Sequence, residues 1–202
     1  AVADGVLPPD ATTMATLQEQ TDRLSHLVAD MAAVSRAEER QLALDLQRLD
    51  VAEAARRAVT AHQARFTAAG RRLDLDVRSG LHPVRADARR LGEALGNLLD
   101  NAAEHSPRGG TVRVVVRTAP TGAAIEVHDT GSGFLPDEAE RLFERFYRGD
   151  ASRTGAGAHS GVGLTIARAI AEAQGGTLLA TSAGPGTGAT FTLTLQRDPD
   201  HG

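Results

Sequence analysis

From Met14 onward, apolar or small side chains recur in alternating steps of three and four residues: Met14, Leu17, Thr21, Leu24, Val28, Met31 and Ser35. That spacing is the seam of a helix that packs lengthwise against other helices. Leu27 and Val34 widen it on one side, and Asp10, just after Pro8 and Pro9, is placed to cap its start. One coiled-coil-like helix is predicted to run to about Arg36, and such a stripe needs partner helices. The period then changes to two, with Leu42, Leu44 and Leu46 alternating with polar residues as in a strand. Asp50 with Glu53 resembles a capping box, opening a helix that ends near Gly70. Leu73, Leu75 and Val77 predict a second strand, and HPVRAD, His82 to Asp87, a third. Asp87 caps the next helix. Strands follow at Thr111 to Thr118 and Ala123 to His128, then a helix at about Asp137 to Tyr147. A helix from Gly161 to about Gln174 precedes a closing hairpin, Thr177 to Ser182 and Ala189 to Gln196, around the turn AGPGTG. The order predicts a helical segment over 1–40 and an α+β domain over 41–202.

Composition narrows the chemistry. All 22 basic residues are Arg, so reactions that need a lysine, including those of Walker loops and Schiff-base enzymes, are excluded. The chain has no Cys, which removes disulfides and thiol chemistry. With 3% aromatics, the core must be built from Leu, Val, Ile and Ala. A net charge of −4, without an Arg cluster interleaved with aromatics, speaks against nucleic acid as a partner. No apolar run approaches the roughly 18–20 residues that a membrane-spanning helix requires.

Three stretches are unusual. On the helix after Asp87, Leu91, Leu95, Leu98, Leu99 and Ala102 make the apolar face, while Asn97 and Asn101 share a neighbouring stripe one turn apart. Amides there suit a divalent ion such as magnesium, which takes oxygen ligands and keeps several waters; they equally suit a face turned to water. In HDTGSGF, Asp129 ends a strand before Gly131 and Gly133. A carboxylate so placed could accept from an exocyclic amine such as that of adenine, or simply close an Asx turn. In GAGAHSGVGLTIARAIAEAQGG, glycines lead into a helix whose N-terminal N–H groups suit a phosphate; an ordinary loop fits the same residues.

In their order and spacing, these stretches resemble the GHKL ATP-binding domain, and within that superfamily the catalytic domain of bacterial sensor histidine kinases. The resemblance spans roughly Leu42 to Gln196. It makes Asn97 to Asn101 the N box, Asp129, Gly131 and Gly133 the G1 box, LFERFYR (Leu142 to Arg148) the F box, and Gly161, Gly163 and Leu164 the G2 box. TGATFTLTL, Thr187 to Leu195, is similar to that family's last strand. The implied fold is a Bergerat-type two-layer α/β sandwich, a mixed sheet with about three helices on one face. The implied ligand is ATP with magnesium. Asn101 would hold the metal, and Asn97 and Asn101 would be the catalytic pair. Asp129, Gly131, Gly133, Arg145, Arg148, Gly161, Val162, Gly163, Leu164 and Thr190 would contribute to the ATP site.

The resemblance extends upstream, where TLQEQTDRLSHLVADMAAVSRAEE is similar to the second helix of the family's dimerisation and histidine-phosphotransfer hairpin. A homodimer through that segment is implied, with a response regulator as partner. The implied location is cytoplasmic, with any membrane anchor outside this chain. None of the seven histidines stands in the family's H-E-L-R-T-P type of phospho-acceptor context, and His26 falls on the outer face of the seam. The acceptor is therefore expected before the first residue. Many family members carry Lys-Tyr after the N box where this chain has Glu104-His105, which removes one phosphate contact. Two other readings remain open. A GHKL ATPase of the gyrase or mismatch-repair kind would want an acid at position 97, and a degenerate core would serve only as a dimerisation or signalling module.

Overall fold

A computed structural model describes residues 44–80, 83–145, 147 and 161–198. The seam helix lies outside the described residues. In chain order the elements are β1 (Gln47–Leu49), α1 (Val51–Ala68), β2 (Arg72–Val77), β3 (Val84–Ala86), α2 (Ala88–His105), β4 (Thr111–Ala119), β5 (Gly122–Asp129), α3 (Gly163–Ala173), β6 (Thr177–Thr181) and β7 (Ala189–Gln196). Two short 3-10 turns, Pro136–Glu138 and Arg141–Phe143, stand between β5 and α3.

Five strands form one sheet in the order β2-β4-β5-β7-β6; β2 and β4 run parallel and every other pair antiparallel. The period of two sorts their side chains cleanly. Leu75, Val114, Val127, Phe191 and Ala180 lie side by side in register across all five strands, on the face covered by α1, α2 and α3. Arg113, Arg117, Glu126, His128, Thr190, Thr192 and Thr194 alternate onto the opposite face. The result is the expected two-layer α+β sandwich. β1 and β3 make a separate antiparallel pair beside it.

Two expectations of local structure are corrected. Of the strand read at Leu42 to Leu46, Leu42 lies outside the described residues and residues 44–46 are not strand; the pairing with β3 is at Gln47–Leu49, and Leu46 is left exposed. The helix read at Asp137 to Tyr147 is broken into the two 3-10 turns. Helical continuation would need the Phe143 carbonyl to accept from the Tyr147 N–H. Instead it accepts from Thr165 Oγ1 at 2.8 Å, and the Tyr147 N–H turns to the Glu144 carbonyl. Tertiary contact outbids local propensity here. At the next helix, Gly161 has φ 73, outside the right-handed region, so α3 begins at Gly163. The Asp50 cap of α1 is present, accepting from the Ala52 N–H at 2.8 Å, while Glu53 pairs with Arg56 and Arg57.

Candidate nucleotide site

α2 divides into two faces. Leu91, Ala94, Leu95, Leu98, Leu99 and Ala102 are at most 1% exposed and pack into the core. Asn97, Asn101, Glu104 and His105 form a half-buried polar stripe beside it. Neither carboxamide is hydrogen-bonded to another described residue. The stripe runs between the two glycine segments. Asn97 lies against Gly163, where an added Cβ would stand 3.5 Å from its Oδ1. At the other end the His105 carbonyl accepts from the Ser132 N–H at 3.3 Å, and a Cβ on Gly131 would come within 2.5 Å of that carbonyl. Only glycine fits so close a backbone approach.

Asp129 closes this end. It is 7% exposed, and its Oδ1 accepts from the Gly131 N–H at 2.8 Å and from the Ala189 N–H at 3.2 Å. Burial pushes the carboxyl above its ordinary value, against the opposing pull of those two N–H groups and of His105 and His128. Oδ2 takes no bond from a described residue and can accept from a ligand. The β6–β7 turn supports the loop from behind. Gly188 N donates to the Gly131 carbonyl at 3.1 Å, and Ser182 Oγ accepts from the Phe134 N–H at 3.2 Å while donating to the Gly188 carbonyl at 2.7 Å. Sequence reasoning treated that turn only as a hairpin connection. Its glycines were the one available signal, and they did not say which loop would be met.

The F box start is fastened to α3. Phe143 is buried, Arg168 lies over its ring at 4.8 Å, and the Arg168 guanidinium pairs with Glu140 at 2.8 Å and Glu172 at 3.0 Å. Burial is lower for Arg145, which is exposed, and Arg148 lies outside the described residues. Gly161 and Val162 lead into α3, which Gly163 and Leu164 begin, and Gly163 is the one shown against Asn97. The N-cap residue of α3 is Val162, whose side chain makes no cap, so among the described residues no side chain caps its first-turn N–H groups. Thr190 is a correction: its register puts it on the outer sheet face, away from Asp129, and its Oγ1 meets His128 Nδ1 at 2.9 Å. Alternation along β7 decides this, since Ala189 is the residue paired with Asp129.

Among the described residues no group of three His, Cys, Asp or Glu could hold a metal ion, and no helix is long and apolar enough to cross a membrane. A divalent ion at this face would therefore rest on neutral amide oxygen, water and oxygens brought by its ligand. Asn97 and Asn101, without a hydrogen-bond partner among the described residues, fit that demand.

A two-layer sandwich with a half-buried amide face strung between two glycine loops is the architecture of a Bergerat-type ATP-binding domain. The model of the histidine kinase-, DNA gyrase B-, and HSP90-like ATPase family matches residues 86–199, more than half of the chain, and the chain belongs to that family. It is 36% identical over 176 residues to the sensor-like histidine kinase SenX3 of Mycobacterium tuberculosis, covering 87% of this chain and 42% of that protein. Among solved structures it is similar to the Acinetobacter baumannii histidine kinase AdeS, with a TM-score of 0.76 and 27% identity over 98% of this chain and 90% of that one. It is also similar to full-length ShkA in complex with AMPPNP, with a TM-score of 0.77 and 25% identity over 96% of this chain and 41% of that one. The chain spans less than half the length of the curated relatives it matches.

Proposed function

We propose that this chain is the ATP-binding catalytic part of a two-component sensor histidine kinase. It would pass the γ-phosphoryl group of Mg-ATP to a histidine upstream, for onward transfer to a response-regulator aspartate. One observation carries the reading: the Asn97–Asn101 face of α2 runs from the glycine end of α3 to the Asp129 loop. Its support from outside is the family and the AMPPNP bound to ShkA.

In this reading Asp129 Oδ2 accepts from the adenine amine, and Gly131 and Gly133 let backbone close over the base. Asn101 offers its amide oxygen to magnesium. That ion, when bound, neutralises phosphate charge. The uncapped N–H groups of α3 bind phosphate oxygens, with Arg145 and Arg148 as further contacts. Asn97 orients what it touches but cannot take a proton. It therefore does not activate water, which favours transfer to an imidazole over hydrolysis. Chemistry of this kind is chiefly positioning and charge neutralisation. A homodimer through the N-terminal segment, a cytoplasmic position and an anchor elsewhere in the full protein belong to the same proposal.

Calorimetry with AMPPNP, with and without magnesium, tests it. Wild-type chain is expected to bind in a magnesium-dependent way, and Asn101→Ala to lose that binding while melting at the wild-type temperature. Absence of binding at millimolar nucleotide in the wild type would defeat the reading. Unchanged binding by the variant would remove Asn101 from the site.

A further inference from the structure

Three segments far apart in sequence meet at the start of α2. Through Oδ1, Asp87 accepts from the Arg89 and Arg90 N–H groups, both at 3.0 Å, which is the ordinary cap of a helix. Its second oxygen does something a cap does not require. Oδ2 accepts from the backbone N–H of Asp45 at 3.2 Å, in the stretch that leads into the domain. The N–H of Asp87 donates to Gln174 Oε1 at 2.7 Å, and Gln174 Nε2 donates to the Ile170 carbonyl at 3.1 Å. Asp87 and Gln174 are each 5% exposed, so water competes little for these bonds. The β1–β3 pair reinforces the same route, with Gln47 opposite Ala86, the residue before Asp87.

The consequence lies at the other end of the two helices. α2 and α3 meet twice, by a hydrogen bond where Asp87 meets Gln174 and by packing alone where Asn97 stands against Gly163. The first contact joins the start of α2 to the end of α3, and the second sets the middle of α2 against the start of α3. At about 1.5 Å per residue, the stretch of α2 between the contacts is roughly 15 Å of continuous helix, which moves as one piece. A displacement at Asp87 therefore reappears at Asn97.

We propose that the junction of Asp45, Asp87 and Gln174 positions the nucleotide site. It sets α2 against α3 and makes the spacing of Asn97 and Gly163 depend on the segment entering at Asp45. Asp87 and Gln174 are positioning residues that touch neither nucleotide nor metal; their role in binding rests on the nucleotide reading given under Proposed function.

Two substitutions cut the Asp45–Asp87 bond from opposite sides. Asp45→Pro removes the donor, and Asp87→Asn keeps an oxygen for the helix cap while replacing the second acceptor with an NH2 group. The full chain is measured two ways: amide hydrogen exchange without nucleotide, and calorimetric affinity for Mg-AMPPNP. Each variant is expected to speed exchange around Asn97–Asn101 and Leu164–Ala167. Each should also weaken affinity about fivefold, the effect of one net hydrogen bond, and the double variant should be no worse than either single. Asp50→Ala, which uncaps α1, supplies the comparison: it lowers the melting temperature and leaves affinity unchanged. Unchanged affinity in both junction variants, additive losses in the double variant, or an equal loss in Asp50→Ala would overturn the proposal. If wild-type chain bound no nucleotide, the nucleotide reading would fall by itself. Exchange would still decide the junction, which is overturned by unchanged rates near Asn97.

Discussion

In the proposed reading, Asp129 serves binding at the expense of stability. Burial raises its pKa, so the folded chain holds this proton more tightly than the unfolded chain does. The associated stability is present at low pH and is lost as pH rises through the folded value, above which the buried carboxyl carries its charge. Asp129→Asn keeps an oxygen for the Gly131 and Ala189 N–H groups and removes that charge. The variant is expected to melt at or above the wild-type temperature while losing Mg-AMPPNP binding, checked by thermal melts and calorimetry. Wild-type affinity in the variant would show that the carboxylate is not the adenine acceptor. Gly131→Ala should lower stability, by about 1–3 kcal/mol, because its methyl meets the His105 carbonyl. A denaturant titration matching wild type would contradict that packing.

Elements differ in how far their own residues decide them. α2 was legible because Asp87, the apolar face and the amide stripe all obey one helical period, and its cap and faces are as the spacing implies. The LFERFYR segment was not, because the Phe143 carbonyl is claimed by Thr165 and its ring by Arg168, residues that follow it by more than twenty positions. Thr190 was misplaced for a similar reason: a motif gives its neighbourhood, but only register gives its face. Between α1 and α2, His62 Nε2 approaches Asp100 Oδ1 at 3.5 Å, Nδ1 meets the Ala58 carbonyl at 2.8 Å, and Arg65 pairs with the same carboxylate. The Asp100 hydrogen bond raises the His62 pKa against the opposing effect of burial. Its contribution to stability is complete below the unfolded value of about 6.5 and disappears as pH rises through the folded value. Chemical denaturation should therefore show stability declining across neutral pH in wild type and a flatter profile in His62→Gln. An equal slope in both would assign the dependence elsewhere.

At the scale of the whole molecule, the five-stranded sheet is a platform and the proposed nucleotide site lies on the helix layer above it. The α+β class and the hairpin could be read from periodicity and turn glycines, whereas the box order came with the resemblance to the family. The way the β6–β7 turn buttresses the Asp129 loop could not, since it depends on contacts between residues some fifty positions apart. The proposed kinase role makes a prediction at this scale. With Mg-ATP alone the chain should form no acid-labile phosphohistidine, and addition of an upstream segment bearing the acceptor should produce it on that segment. Label on the 202-residue chain itself would contradict the division of labour.

All of this depends on one face of α2 receiving a nucleotide between two glycine loops. Nuclear magnetic resonance of labelled chain during titration with Mg-AMPPNP tests that most directly. The side-chain NH2 signals of Asn97 and Asn101 and the backbone amides of Gly131 and Gly163 should move together along one saturable curve. Movement confined to the outer sheet face around His128 and Thr190, with those four signals still, would contradict it.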